Sequence, residues 1–363
     1  MKALSIYAGH GALKYMAENG LRAQDVRVVP GAAGGPKGLI LGPLDRFIFG
    51  QWLPTSQQEV HLVGASIGAW RMATACLNGT VSAFERLEHD YIHQDYDLEP
   101  GRDFPTPAEI SHKFGESLKD FYGGRVGQVL QHPRYKLHIV TSRGRHVLRR
   151  EHKLATPLGY AGAFFTNAVR RKAMGAWLER VVFSASAKPG SAASAGLPFS
   201  TQDYRTRQVR LTADNFAPAL QASCSIPFVL KAVHDIPGAP RGAYWDGGIT
   251  DYHLHLNYTA GDGIVLYPHF QKSVVPGWLD KALKWRHGST HFLDRMVVIA
   301  PKPEWIATLP RAKLPDRNDF AFHSRDLAAR VAQWTACVGA AQQLADEFAA
   351  WLDRPDMTLV QAL

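Results

Sequence analysis

Two segments near the start of the chain follow the same plan. The β-branched run 26-VRVV-29 enters the glycine-rich 31-GAAGGPKG-38, and a helix-compatible stretch, 39-LILGPLDRFIFGQWL-53, leaves it. The apolar 59-EVHLV-63 enters 64-GASIG-68, and the small and apolar residues 69–78 leave it. Antiparallel strands are joined by short hairpins, whereas a crossover helix returns the chain so that the next strand lies parallel to the last. The plan therefore predicts an α/β fold with helices on the faces of a parallel sheet.

The remaining chain extends this reading. Residues 11–20 predict a short helix ended by Gly20, and 80–135 are mostly helical and polar, with loop signals at 97-DLEPGRDFPTP-107. Strands are expected at 136-KLHIV-140, 146-HVLRR-150, 181–185 and 264–267, with a last one at 296–300. The Gly/Ala/Phe-rich piece 159-GYAGAFF-165 leads to a basic helix at about 166–178, and 187-AKPGSAASAGLPFS-200 reads as a flexible loop. Helix returns at 214-DNFAPALQASCS-225, Pro227 ends it, and a hairpin-like stretch runs to 243-AYWDGGITD-251. An amphipathic basic helix, 278-WLDKALKWRHG-288, carries Trp278 and Trp285; a long helix fills 325–353. No repeat and no clean linker divides the chain, so the expectation is one domain over 1–363. Its core motifs lie in 26–255, a lid or insertion at about 80–200, and a C-terminal helical extension at about 270–363.

Composition narrows the partners. With 41 Lys and Arg against 32 Asp and Glu, the net charge of +9 favours anionic partners. The excess is spread along the chain, with small knots at 143-RGRHVLRR-150 and 170-RRK-172, and there is neither a nucleic-acid arm nor a zinc-finger spacing. Three scattered cysteines, Cys76, Cys224 and Cys337, argue against a disulfide framework and fit a reducing compartment. No secretory h-region interrupts this reading, and no apolar run approaches the ~18 residues of a membrane span. A soluble cytoplasmic protein is expected; its 278–288 helix reads either as packed on the core with a solvated basic face or as a peripheral contact with an anionic membrane. No feature sets an oligomeric state.

The chemistry concentrates on the turns. In 64-GASIG-68, Ser66 lies between glycines two positions away on either side. A sharp strand-to-helix turn lifts a serine Oγ out of the sheet edge and sets the next helix's N-terminal N–H groups beside it. A serine N-cap on a plain turn is the alternative. The loop 31–38 fails a Walker A pattern at Pro36 and Gly38, and a dinucleotide fingerprint at Ala33. As an oxyanion loop it would aim the N–H groups of Gly34 and Gly35 at a tetrahedral oxygen, with Lys37 placed to meet an anionic head group or a surface ion pair. In 245-WDGGITD-251, Asp246 is expected on a tight turn after a short strand.

The order glycine-rich loop, G-x-S-x-G, then D-G-G resembles the patatin-like phospholipases. So does 219-ALQASCSIPFV-229, a run of small residues followed by Pro ahead of the aspartate. The resemblance implies a three-layer α/β/α sandwich around a mostly parallel sheet, and a lipid acyl hydrolase using a Ser–Asp dyad. Carried over, Ser66 is the nucleophile, Asp246 its base, and Gly34 and Gly35, closed by Gly38, the oxyanion loop at 33–38. The substrate would be a lipid or phospholipid ester, with no metal and no organic cofactor. Ala33 departs from the family's usual glycine, and 249-ITDYHLHL-256 departs from the Asn and Pro that often follow D-G-G.

Three alternatives stand beside it. A Ser–His–Asp triad would draw on His253, His255, His269 or His291. An acyltransferase would pass the acyl group to an alcohol, and a lipid-surface binding protein would keep the site as a vestige. His89 and His93 lie one helical turn apart beside Asp90 but lack the glutamate of an H-E-x-x-H metal pair.

Overall fold

The computed structural model describes residues 1–96, 102, 104–324 and 326–363. The loop expected at 97–107 lies outside the described residues at 97–101 and 103. Eleven strands are present: β1 (Leu4–Ala8), β2 (Val26–Gly31), β3 (Val60–Ala65), β4 (Tyr135–Gly144), β5 (Leu178–Ser184), β6 (Thr206–Arg210), β7 (Val233–His234), β8 (Ala243–Asp246), β9 (Ile264–Pro268), β10 (Met296–Pro301) and β11 (Val360–Ala362). They form one sheet in the order β11–β1–β10–β9–β2–β3–β4–β5–β6, with β8 on β4 and β7 on β8. From β10 through β9, β2 and β3 to β4 every pairing is parallel.

The helices are α1 (His10–Asn19), α2 (Gly42–Phe47), α3 (Ile67–Ala75), α4 (Thr80–Ile92), α5 (Pro107–Tyr122), α6 (Val126–Leu130), α7 (Ala155–Val169), α8 (Ala213–Cys224), α9 (Gly248–Asp251), α10 (Pro303–Ile306), α11 (Asn318–His323) and α12 (Leu327–Asp353). Successive strand residues point to opposite faces, so a strand buried at every position has both faces covered. β9 and β10 are buried throughout, and β2, β3 and β4 at all but one residue each. The architecture is the mostly parallel α/β/α sandwich that the resemblance implies.

Several local expectations give way to tertiary contacts. The helix expected over 39–53 begins earlier, at Gly35, and breaks into a tight turn to Leu41, α2 and a wider turn over Ile48–Trp52. No strand forms at 146–150. β4 runs on to Gly144, His146 takes φ 48°, and the chain folds back as a turn over His146–Arg149. The basic helix expected at 166–178 is displaced: α7 runs through the Gly/Ala/Phe-rich piece, and only a short turn, Arg171–Ala176, follows.

The amphipathic helix expected at 278–288 is two separate turns, Trp278–Asp280 and Lys284–Arg286. The buried Asp280 explains this, since it accepts from Asn167 at 2.8 Å and Arg286 at 2.9 Å. Arg171 adds an ion pair to the same carboxylate at 3.3 Å. Those bonds outweigh the local periodicity. Nor is β10 the last strand, because β11 pairs parallel with β1. Residues 80–200 hold the interior strands β4 and β5, and 270–363 supply β10 and β11 as well as α12.

Candidate active site

The turn between β3 and α3 is a single residue. Ser66 has φ 57° and ψ −131°, a conformation that costs a non-glycine residue about 1–3 kcal/mol and persists only where its surroundings hold it. They hold it from both sides. A Cβ built on Gly68 would overlap the Gly31 carbonyl oxygen, so only glycine lets the start of α3 pass the end of β2. On the other side, the Ser66 N–H donates to Ser223 Oγ at 2.9 Å, and Ser223 Oγ–H donates to the Val140 carbonyl at 2.7 Å. The serine is therefore lashed to α8 and β4 by its own amide.

Asp246 ends β8, and α9 starts two residues later. The Ser66 hydroxyl donates to Asp246 Oδ2 at 2.8 Å, and the Gly248 N–H donates to Oδ1 at 2.7 Å. Both carboxylate oxygens are thus engaged and the carboxyl is buried. Burial pushes its pKa above the ordinary aspartate value. Arg317, the Ser66 hydroxyl, the Gly248 N–H and Lys281 pull the other way.

The glycine-rich loop lies beside this pair. Gly35, at φ 57°, lines the same cleft as Ser66, and Gly34 backs onto the Phe270 ring. Among the described residues no acceptor takes the N–H of Gly34, Gly35, Ile67 or Gly68. Pro36, in the first turn after the loop, lacks only a donor that a helix start leaves unused. Gly38 is further off, against the Ile67 side chain. Lys37 turns its ammonium 5.4 Å over the Phe270 ring and lines neither cleft described below; burial lowers its pKa.

Two clefts meet at the pair. The larger, about 510 Å³, is lined by Ser66, Ile67, Trp70, Ile110, Phe114 and Leu230 among others, and Cys224 borders it. The smaller, about 280 Å³, is lined by Asp246, Tyr252, Trp278, Lys281 and Arg317 among others. Arg317 and Ile226 border both. Lys281 stacks its ammonium 4.1 Å over the Tyr252 ring. Burial, with Arg317 and Lys37 near, brings its pKa down to about 8. Among the described residues neither Lys281 nor Arg317 forms an ion pair, so the smaller cleft carries two cations beside one carboxylate.

The histidines are engaged elsewhere. His253 Nδ1 faces the Ser273 carbonyl at 3.1 Å; His255 bonds the Val274 carbonyl and Thr290 Oγ1, both at 2.8 Å. His269 Nδ1 bonds the Gln271 carbonyl, and His291 is exposed. None of them hydrogen-bonds Ser66 or Asp246 among the described residues. His89 and His93 stack on each other at 4.1 Å on α4 and the residue after it. No group of three metal-binding side chains forms among the described residues.

The structure adds Ser223, Lys281 and Arg317 to the site residues that the sequence singles out. Ser223 lies in the 219–229 segment that carries part of the resemblance, whereas nothing local marks Lys281 or Arg317. They reach the site only because β9, β10 and the chain beyond fold back beside β2.

The chain matches no curated protein and no solved structure. The family model of the patatin-like phospholipases matches residues 58–253, more than half of the chain, from the start of β3 to just past the Asp246 turn. The glycine-rich loop, Lys281 and Arg317 lie outside that span. With its elbow serine and its D-G-G turn inside the match, this chain belongs to the patatin-like phospholipase family.

Proposed function

We propose that this protein, in keeping with the lipid acyl hydrolase activity that its family membership supports in general, hydrolyses the acyl ester of a lipid through a Ser66–Asp246 dyad. The observation that carries the reading is the 2.8 Å hydrogen bond from the Ser66 hydroxyl to a buried aspartate. A serine hydroxyl attacks only when a base takes its proton and the developing oxyanion is stabilised.

Asp246 Oδ2 accepts the proton as Oγ bonds the ester carbonyl carbon. Burial raises the basicity of this carboxylate, which brings it closer to what general-base catalysis needs near neutral pH. The oxyanion lies toward the open N–H groups of Gly34 and Gly35 and of Ile67 at the start of α3. Collapse breaks the ester C–O bond, and Asp246 returns the proton to the leaving alkoxide. Water then attacks the acyl-enzyme, giving its proton to Asp246, and Ser66 recovers its own as the acid leaves. The mainly apolar larger cleft suits the acyl chain. The smaller cleft, with Lys281 and Arg317, suits the alcohol side of the ester. Gly38 supports the loop by packing on Ile67, and Lys37 adds positive charge behind Phe270. The histidine bonds described above favour the dyad over a Ser–His–Asp triad.

A fluorophosphonate probe tests the nucleophile. Wild type should label and hydrolyse a p-nitrophenyl acyl ester, and Ser66→Ala should do neither. Equal labelling of both proteins would remove Ser66 from the reaction.

A further inference from the structure

Helix α7 is built the wrong way round for a surface helix. Residues 154, 158, 161, 165 and 169 are spaced by four, three, four and four, which is one helical face. That face is turned outward. Leu154 is 74% exposed, Leu158 72%, Phe165 68% and Val169 87%, with Ala161 exposed between them. The polar side chains Thr156 and Asn167 are buried instead, and Asn167 donates to the buried Asp280. No charged residue occurs from Leu154 to Val169.

The surroundings enlarge the patch. Val147 and Leu148 pack against Gly159 of the helix, and Val147 is itself exposed. The Phe228 ring, 57% exposed, sits 6.0 Å from Tyr160. Arg286 donates to Asn167 and to the Ala168 carbonyl, which sets the exposed Trp285 at the helix's C-terminal end. With Val229, eight of the thirteen exposed large apolar side chains among the described residues gather here. Apolar patches of this kind on soluble proteins mark interaction surfaces.

Charge identifies what covers it. Exposed Arg149 and Lys153 precede the helix, exposed Arg170 and Lys172 follow it, and exposed Lys284 flanks Trp285. The nearby acids are engaged: Glu151 pairs with Lys231, and Asp280 with Arg171 and Arg286. A second copy docked through the same face would set this cationic rim against itself. An anionic bilayer satisfies both features, since apolar side chains enter the interface while Lys and Arg meet the head groups. The face also borders the site. Tyr160 packs edge-on against Trp245, the residue before Asp246, and Ile226 and Pro227, just before Phe228, line the clefts.

We propose that α7, with Phe228 and Trp285, is the surface that docks this protein on an anionic lipid membrane, cleft mouth down. The proposal concerns a surface outside the dyad, and its test does not need turnover. The full-length protein is sedimented with phosphatidylcholine vesicles, with and without phosphatidylserine. Wild type and Ser66→Ala should both bind the phosphatidylserine vesicles, less at high salt, with a blue-shifted tryptophan emission that Trp285→Phe diminishes. Leu158→Ser combined with Phe165→Ser should weaken binding about tenfold or more. The same double variant should keep its circular dichroism and its hydrolysis of a short soluble ester. Equal vesicle binding by wild type and the double variant would overturn the proposal. So would a wild type that ignores vesicles and instead forms a concentration-dependent dimer lost in the double variant.

Discussion

The Ser66 hydroxyl reaches Asp246 Oδ2 across 2.8 Å although the two residues lie 180 apart in the chain. Strand register explains the meeting. β3 runs parallel to β4 and ends with Ala65 opposite Val140. β8 runs antiparallel to β4 and ends with Asp246 opposite Thr141, the next residue along. Because β5 occupies the other edge of β4, β3 and β8 share one edge and converge end to end. The nucleophile candidate and its acceptor are therefore placed by backbone pairing, before any side chain chooses a rotamer.

Asp246→Asn should keep this geometry while removing the proposed base. The hydrolysis rate of a p-nitrophenyl ester should fall by about 100- to 10,000-fold, and fluorophosphonate labelling should slow in step. Single His253→Ala, His255→Ala and His291→Ala variants should retain most activity when folded. A histidine variant that is folded yet inactive would shift the base from Asp246 to that residue.

Gly68→Ala places a methyl group against the Gly31 carbonyl oxygen. Backbone gives way less readily than a side chain, so the loss of stability should reach at least the usual overpacking range of about 1–3 kcal/mol. Because β2 leads into the glycine-rich loop, activity should fall more than stability alone explains. A urea titration paired with ester hydrolysis under fully folded conditions reads both effects. A folded Gly68→Ala enzyme of full activity would contradict the close packing described.

A buried ion pair joins α2 and α3, the helices that follow the glycine-rich loop and the Ser66 turn. Arg71 of α3 donates to both oxygens of Asp45 in α2, at 2.6 and 2.7 Å, with both side chains almost fully buried. Asp45→Ala strands a buried guanidinium and should cost about 3–5 kcal/mol by chemical denaturation. Replacing the pair together, Asp45→Leu with Arg71→Met, should recover much of that loss. If the double replacement is no better than Asp45→Ala, the pair contributes through something other than mutual charge compensation.

Acid should destabilise the fold through its buried histidines. Burial lowers His255 to about 4 and His269 to about 3, and holds His138 well below its ordinary value. Unfolded, each takes up a proton near pH 6.5, so below that pH the unfolded state binds more protons than the folded one. Their contribution is complete above about pH 6.5 and drains away toward pH 4, at up to about 1.4 kcal/mol per pH unit for each histidine. Thermal melts at pH 7.5, 6 and 5 should show a falling Tm. A Tm that stays flat over that range would mean these rings titrate normally in the folded protein.

Where sequence and structure agree, the governing physics is local. An apolar, β-branched run bounded by turn signals favours a strand. Hence β2, β3, β9 and β10, and the elbow at Ser66, are legible from neighbouring residues alone. Legibility fails where distant groups intervene. The 278–288 stretch has helical periodicity, yet Asn167 and Arg171, more than a hundred residues away, hold Asp280 and break it. The sequence places a basic helix only at about 166–178, and the outward apolar stripe of α7 emerges because Thr156 and Asn167, which bonds the distant Asp280, are buried on its opposite side.

Neighbouring residues are enough to set the order of the strand–turn–helix units, a serine on one sharp turn and an aspartate on another. Those depend on steric limits within a few residues. Contacts between distant segments bring the two turns to one edge of β4, set Lys281 and Arg317 in one cleft, and turn α7 outward. Such features arise from pairings between segments far apart in the chain, whose balance of burial and compensated charge no single stretch contains.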